Sequence, residues 1–433
     1  MVAVTFLMPG TVIPRQEELF FHTFFLAMAT VGSLWVIKPL FFTILAPWYA
    51  HVWERRKRYF SRHHYRPLVS IVIPAWNEEV GLVATLKTIL ASSYRPLEIV
   101  VINDGSTDQS DAIMHEFLQK YQQHVGESSS YIPIIYHYKT NGGKGAALNT
   151  GIALSHGEII ITFDADCVVH KDAVKHFVSY FADSEVMAVA GNIKIGNTRT
   201  ILGLIQSLEY TFGFQYKKAE ALLGVVFVIG GAASAFRREI FDRVGGYDTK
   251  TLTEDLELSL RIQKAGMRIV YAPEAIIHTE GPTTLRGLLK QRFRWKYGRF
   301  EALRMHRSSL FRRKGVNRPF FWIFLPLVIS GDIEIILEFL YIALLYIYSI
   351  LTHNFLLLLL SMAIVNIIYC FQLIEARYFR KISSLLLVPL LWILLQLMLF
   401  VELHVFVRVC YTFFYRKREV KWQKWQRTGV VDS

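Results

Sequence analysis

Residues 158–166 read Glu158-Ile159-Ile160-Ile161-Thr162-Phe163-Asp164-Ala165-Asp166, an apolar β-branched run that ends in two carboxylates spaced i and i+2. A short apolar run with polar ends predicts a strand over 158–163, buried on both faces. Bringing Asp164 and Asp166 together at its end costs repulsion unless a cation neutralises them. Mg²⁺ or Mn²⁺ bridged to a diphosphate suits such a pair, since hard ions take oxygen ligands and keep phosphates in their shell. Two aspartates at this spacing are common by chance. Their position at a strand end makes them candidate metal ligands.

Upstream, further strands are predicted over 70–74, 98–103 and 133–138, with helical patterns between them over 79–91, 110–121 and 145–155. Alternating β and α predicts an α/β fold, a parallel sheet with helices on both faces. Ligands of such sheets bind at the carboxyl ends of the strands. Polar residues gather there: Pro74-Ala75-Trp76-Asn77-Glu78-Glu79 after the first strand, Asp104-Gly105-Ser106-Thr107-Asp108 after the second, and the aspartate pair after the fourth. Turn chemistry accounts equally well for Asp108 and Glu79. It accounts poorly for three acidic clusters on one sheet edge. The loop Asn141-Gly142-Gly143-Lys144-Gly145 either cradles phosphate through its N–H groups and Lys144 or is a turn opening a helix. It matches neither a Walker A loop nor GxGxxG.

Hydrophobic residues form 53% of the 433-residue chain and charged residues 19%, against a usual charged share of about 25%. The apolar residues cluster, which excludes a disordered chain and argues against an ordinary soluble globule. Cys167, Cys370 and Cys410 are too scattered for a disulfide framework or a CxxC zinc site. His170 and His278 have no metal-ligand spacing either. Lys plus Arg number 48 against 35 Asp plus Glu. The basic runs flank apolar segments, as membrane-facing charge does, and no basic surface interleaved with aromatics points to nucleic acid.

The apolar run over 19–50 is long enough for a bilayer, which needs roughly 20 residues. Glu54-Arg55-Arg56-Lys57-Arg58 follows it and assigns that end to the cytoplasm. Apolar stretches return over 319–351, 354–373 and 384–415. The last, at roughly 30 residues, is long for one span and short for two. Asp332, Glu334 and Glu338 are costly in lipid, so they are expected to face protein, a polar cavity or the interface. Three units follow: a tail, transmembrane segment and basic stretch over 1–66, a soluble domain over 67–300, and membrane helices with a basic tail over 301–433.

The blocks Ile71-Val72-Ile73-Pro74, Asn103-Asp104-Gly105-Ser106-Thr107-Asp108, Asp164-Ala165-Asp166, Thr253-Glu254-Asp255 and Gln291-Arg292-Phe293-Arg294-Trp295 together resemble the family 2 inverting glycosyltransferases. The resemblance implies a GT-A fold, a Rossmann-like and mostly parallel sheet, in a cytosolic domain flanked by transmembrane or interface helices. A TED triplet followed by QxxRW resembles the processive branch that makes cellulose, chitin, hyaluronan and poly-N-acetylglucosamine. The stretch GAASAFRR from Gly231 to Arg238 most resembles the poly-β-1,6-N-acetylglucosamine synthases.

Carried onto this chain, the resemblance implies that Pro74, Asn77, Glu78 and Asp104 bind the nucleoside and that Lys144 lies beside the base or diphosphate. It implies that Asp164 and Asp166 hold Mg²⁺ or Mn²⁺ on UDP, with Asp166 the more direct ligand. Asp255, beside Glu254, would be the general base, and Gln291, Arg294 and Trp295 would close over the diphosphate and acceptor sugar. The implied partners are a UDP-sugar donor, a growing polysaccharide acceptor, the plasma membrane, crossed several times, and a small membrane subunit.

Elementary chemistry is consistent with these roles. An inverting transfer is one in-line displacement, which needs a base for the acceptor hydroxyl and a Lewis acid for departing UDP. Arg294 offers a planar fork for a diphosphate, and Trp295 a flat apolar face for a sugar ring. Thr253 as an N-cap with Glu254 and Asp255 in the first turn is a second, compatible reading of the TED triplet. Leu285, Leu288, Leu289, Phe293 and Trp295 also read as one face of an interfacial amphipathic helix. Rival readings are another processive synthase, a single-transfer enzyme acting on a lipid carrier, and a transporter with a degenerate sugar-nucleotide domain. Intact acidic positions argue against the last.

Overall fold

The computed structural model describes residues 30, 36–56, 65–125, 131–311, 316–376, 390–416 and 429. Half of the apolar run over 19–50, and the segments 57–64, 377–389 and 417–428 with their basic residues, lie outside the described residues. Helix α1 (36–56) comes first. The soluble region then runs β1 (Val69–Ala75), α2 (Leu82–Leu90), β2 (Leu97–Asp104), α3 (Ser110–Val125), β3 (Ile134–Lys139), α4 (Lys144–Leu154), β4 (Ile159–Phe163) and β5 (Val168–Val169). It continues through α5 (Ala173–Phe181), β6 (Val186–Ile195), α6 (Ile201–Leu222), β7 (Ala233–Arg237), α7 (Glu239–Val244), α8 (Glu254–Lys264), β8 (Arg268–Thr279) and α9 (Leu285–His306).

The eight strands form one sheet in the order β3-β2-β1-β4-β7-β6-β8-β5. The first four are parallel, as the β/α alternation predicts. The remainder is mixed: β7 runs antiparallel to both β4 and β6, while β6 and β8 are parallel. The sheet is thus mostly parallel, as expected of a GT-A fold. Two of the antiparallel pairings arise at β7, the short ASAFR run, which is inserted between two strands distant from it in sequence. Every residue of β4 is buried; each fully buried isoleucine contributes about 1.5–3 kcal/mol of transfer free energy.

Among the described residues three helices are long and apolar enough to cross a membrane: α10 (Pro319–Thr352), α11 (Leu356–Glu375) and α12 (Leu391–Tyr415). Within the last stretch, the described residues form a helix of 25 residues. Helix α1 fastens this layer to the sheet. Tyr49 is fully buried and donates to the Tyr271 carbonyl, and the Trp53 ring lies 4.9 Å from that of Tyr180. Gln372 on α11 donates to Thr43 on α1 at 2.6 Å, and Lys218 on α6 pairs with Glu375 on α11 at 2.7 Å. These bonds join α1, α6 and α11.

Candidate active site

The carboxyl ends of β1, β2 and β4 open into a cavity of about 1040 Å³. Pro74, Glu78, Asp104, Lys144, Asp164 and Asp166 line one end of it. Asp104 is buried, and its carboxylate is largely occupied by the protein. Oδ1 accepts from Lys139 Nζ at 2.6 Å and from the Gly142 N–H at 2.9 Å, and Oδ2 accepts from the Gly143 N–H at 2.8 Å. One lone pair, on Oδ2, remains for a ligand. The N–H groups of Gly142 and Gly143 are therefore spent on Asp104, which removes the phosphate-cradle reading of their loop.

Asn77 is not among the cavity-lining residues. It sits at φ 55°, the left-handed region, where Asn is among the better-tolerated residues. Its Oδ1 accepts from the Thr107 N–H at 2.7 Å, and its own N–H donates to Ser106 Oγ at 2.9 Å. Asn77 thus joins the β1 and β2 loops and does not line the cavity, contrary to its expected place at the nucleoside. Glu79 and Asp108 do the same: the Gln109 N–H donates to Glu79 at 2.9 Å and the Glu79 N–H to Asp108 at 3.3 Å. Turn chemistry is the correct reading of that pair.

At the centre, Lys144 Nζ pairs with Asp164 Oδ1 at 2.5 Å and with Glu254 Oε1 at 3.5 Å. Burial works against the charged amine, but Asp164, Glu254 and Asp255 outweigh it and hold the Lys144 pKa above the usual lysine value. Burial pushes Glu254 up, and neighbouring Asp255 adds to this, while Lys144 opposes both. Gly231 makes the cluster possible. A Cβ there would sit 3.0 Å from Lys144 Nζ and 3.2 Å from Asp255 Oδ2. The Thr253 hydroxyl makes no capping bond, and its Oγ1 is buried without a partner. The N-cap reading of Thr253 therefore holds for its position and not for its side chain.

Helix α9 closes the other side, and Gln291, Arg294 and Trp295 all line the cavity. Its start is capped by Thr284, whose hydroxyl accepts from the Gly287 N–H at 3.1 Å. Gln291 is 5% exposed and its Oε1 has no hydrogen-bond partner in the protein, as expected of a group reserved for a ligand. No carboxylate lies within ion-pairing distance of Arg294 among the described residues, so its guanidinium is available to an anion. Farther along, Lys296 pairs with Glu402 at 2.8 Å and with Asp332 at 3.4 Å, and Asp332 also binds Arg299. Asp332 thus faces protein and cavity, while Glu334 pairs with Lys38 at 3.4 Å.

Residues 66–298 match the family described as Glycosyltransferase like family 2. The chain belongs to that family. It is a glycosyltransferase with a GT-A-like fold. It is 34% identical over 237 residues to the poly-beta-1,6-N-acetyl-D-glucosamine synthase of Staphylococcus aureus strain COL, covering 54% of this chain and 55% of that one. Identity to the Staphylococcus epidermidis synthase of the same name is 32% over 245 residues, 56% of this chain and 57% of that one. The chain thus matches these curated relatives over about half their length. Among solved structures, the mannosyltransferase PcManGT from Pyrobaculum calidifontis, in complex with GDP-Man and Mn²⁺, superposes with a TM-score of 0.54 at 18% identity. It covers 88% of this chain and 99% of its own, and shows the likeness of fold.

GT-A enzymes generally use a divalent metal, and the donor set of this glycosyltransferase fits one. No group of three or more His, Cys, Asp or Glu side chains forms a metal cage among the described residues. Asp164 and Asp166 instead offer one or two carboxylates at the cavity wall, which suits an ion that takes its other ligands from phosphates and water. Several cavity residues had no sequence signal. Glu280 follows a strand, β8, that the pattern does not announce, and Lys139, which holds Asp104 from outside the cavity lining, reads as an ordinary strand-end lysine. Glu209 and Tyr210 belong to a helix unconnected to any motif.

Proposed function

We propose that this glycosyltransferase is a processive, inverting synthase that polymerises N-acetylglucosamine from UDP-N-acetylglucosamine through β-1,6 linkages. The observation that carries the reading is the continuity of one cavity. It runs from Asp104, Lys144 and Asp166, past Asp255 and Trp295, to Asp332 and Glu402 on the membrane-layer helices. The names of the curated relatives point to the same polymer.

In this reading Asp255 takes the proton of the acceptor 6-hydroxyl as that oxygen attacks the anomeric carbon. The bond from that carbon to the phosphate oxygen breaks in the same step, and UDP leaves with the electron pair. Lys144 and Arg294 offer positive charge to the diphosphate. A divalent ion held by Asp164 and Asp166 would neutralise diphosphate charge when bound. Trp295 carries the acceptor sugar on its face. The polymer then moves past the Lys296, Arg299, Asp332 and Glu402 collar into α10 and α12, in a multi-pass membrane protein whose catalytic domain is cytosolic.

The test is reconstitution into sealed vesicles with the active site outward. Radiolabelled UDP-N-acetylglucosamine, UDP-glucose and UDP-glucuronate are supplied separately, and a polymer-degrading enzyme is added outside. Long product from UDP-N-acetylglucosamine alone, protected inside the vesicles, is the expected result. Single additions would end the processive reading. Complete degradation from outside would reduce the membrane helices to an anchor.

A further inference from the structure

Four cavity side chains from two helices meet at one place: Arg292 and Trp295 of the QxxRW block, and Glu209 and Tyr210, which no motif describes. Glu209 and Tyr210 are neighbours on α6; Arg292 and Trp295 lie three residues apart on α9. Arg292 Nη2 pairs with Glu209 Oε2 at 2.5 Å. The Arg292 guanidinium carbon lies 4.6 Å from the centre of the Trp295 ring, and the Tyr210 ring lies 6.4 Å from it at 49°. Arg292 is 7% exposed, and its Nε has no hydrogen-bond partner. A buried arginine with an unused donor is not held by a full hydrogen-bond set. Glu209 at one end and the indole at cation–π distance fix its place.

We infer that Glu209 and Arg292 are positioning residues that hold the Trp295 indole at the angle the acceptor sugar requires, so that α6 sets acceptor placement from outside the QxxRW motif. The inference rests on the reading of Trp295 as the acceptor platform. Arg292 touches the indole and not the reacting atoms; Glu209 acts through Arg292. The competing account is an ion pair that merely ties α6 to α9. The two differ in what happens when Trp295 is absent. A clamp has nothing left to hold, whereas a structural tie matters as before.

The experiment uses the full purified chain with Glu209→Gln, Arg292→Met, Trp295→Ala, and each of the first two combined with the third. With UDP-N-acetylglucosamine as donor, each single variant should shorten the product and slow transfer, Glu209→Gln by roughly tenfold, within the range of a desolvated cation–π contact. UDP affinity should stay within about twofold, which also reports on folding. Added to Trp295→Ala, Glu209→Gln should cost almost nothing further; a multiplicative loss would overturn the clamp. A second readout needs no turnover. The emission of Trp295, taken as the difference from Trp295→Phe among the nine tryptophans, should become more open to acrylamide in Glu209→Gln. Unchanged quenching would overturn the clamp even if the donor assignment failed. Normal product from Trp295→Ala would instead remove the acceptor reading itself, and the inference with it.

Discussion

Replacing Gly298 by alanine tests how tightly α9 must lie on the start of α8. Gly298 sits on α9, three residues beyond Trp295, and packs on Thr253, two residues before Asp255. A Cβ at Gly298 would fall 2.5 Å from Thr253 Cγ2, 2.6 Å from its Oγ1 and 3.0 Å from its Cβ. Carbon atoms pack at about 3.5–4.0 Å, so α9 and the TED triplet must part by roughly 1 Å. A misplacement of that size at a reacting centre costs on the order of 100-fold in rate, and overpacking of this kind costs about 1–3 kcal/mol of stability. Polymer formation should therefore fall on the order of 100-fold in Gly298→Ala while UDP binding stays near normal. Thr253→Ala should restore most of the loss when combined with it, since it removes both of the nearest atoms and no capping bond is at stake. The assay is initial rate against donor concentration, with UDP affinity measured separately. Near-normal turnover in Gly298→Ala, or a double variant as poor as the single one, would refute the close-packing argument.

Asp255→Asn keeps size while removing proton acceptance, so donor binding should survive and transfer should fall at least about 100-fold; a variant with near-normal turnover would strip Asp255 of its role. Chelation by EDTA should abolish synthesis and Mg²⁺ or Mn²⁺ should restore it, whereas full activity in chelator would end the metal role of Asp164 and Asp166. Glu257 gives a pH test on stability. Burial disfavours its charge, but His306 at 3.0 Å and Arg261 at 2.7 Å outweigh this and hold its carboxyl below the usual carboxylate range. Folding therefore favours the charged form, and the stabilisation is complete above the ordinary carboxylate value and lost as pH falls through the depressed one. Glu257→Gln should lower stability at neutral pH by about 1–3 kcal/mol, and thermal unfolding at descending pH should show the gap closing. A gap constant into acid would contradict the assignment.

Sequence alone determined the elements whose pattern is local. The runs around Ile71, Ile99, Ile135 and Ile160 became the four parallel strands because each is short, apolar and ended by polar turn residues. The C-terminal apolar stretches became three long helices because length and composition suffice for that. The motif blocks placed several acidic residues on the cavity wall, since Asp104 and Asp164 stand at the ends of β2 and β4 and Asp255 in the first turn of α8. What tertiary structure alone decided is every pairing across long separations. Asp104 was legible as a site residue, but its capture by Lys139 and the Gly142–Gly143 backbone depends on how β2 and β3 abut. Asn77 was legible as a strand-end residue, but its left-handed backbone turns it to the neighbouring loop. Strand β7 escaped notice because its small side chains gain a strand's burial only once β4 and β6 flank it. Glu209 lies 83 residues from Arg292, and Asp332 lies 36 from Lys296. No periodicity links positions so far apart, because the force that joins them, a charge finding its partner out of water, acts only after the sheet and the membrane helices have brought them together.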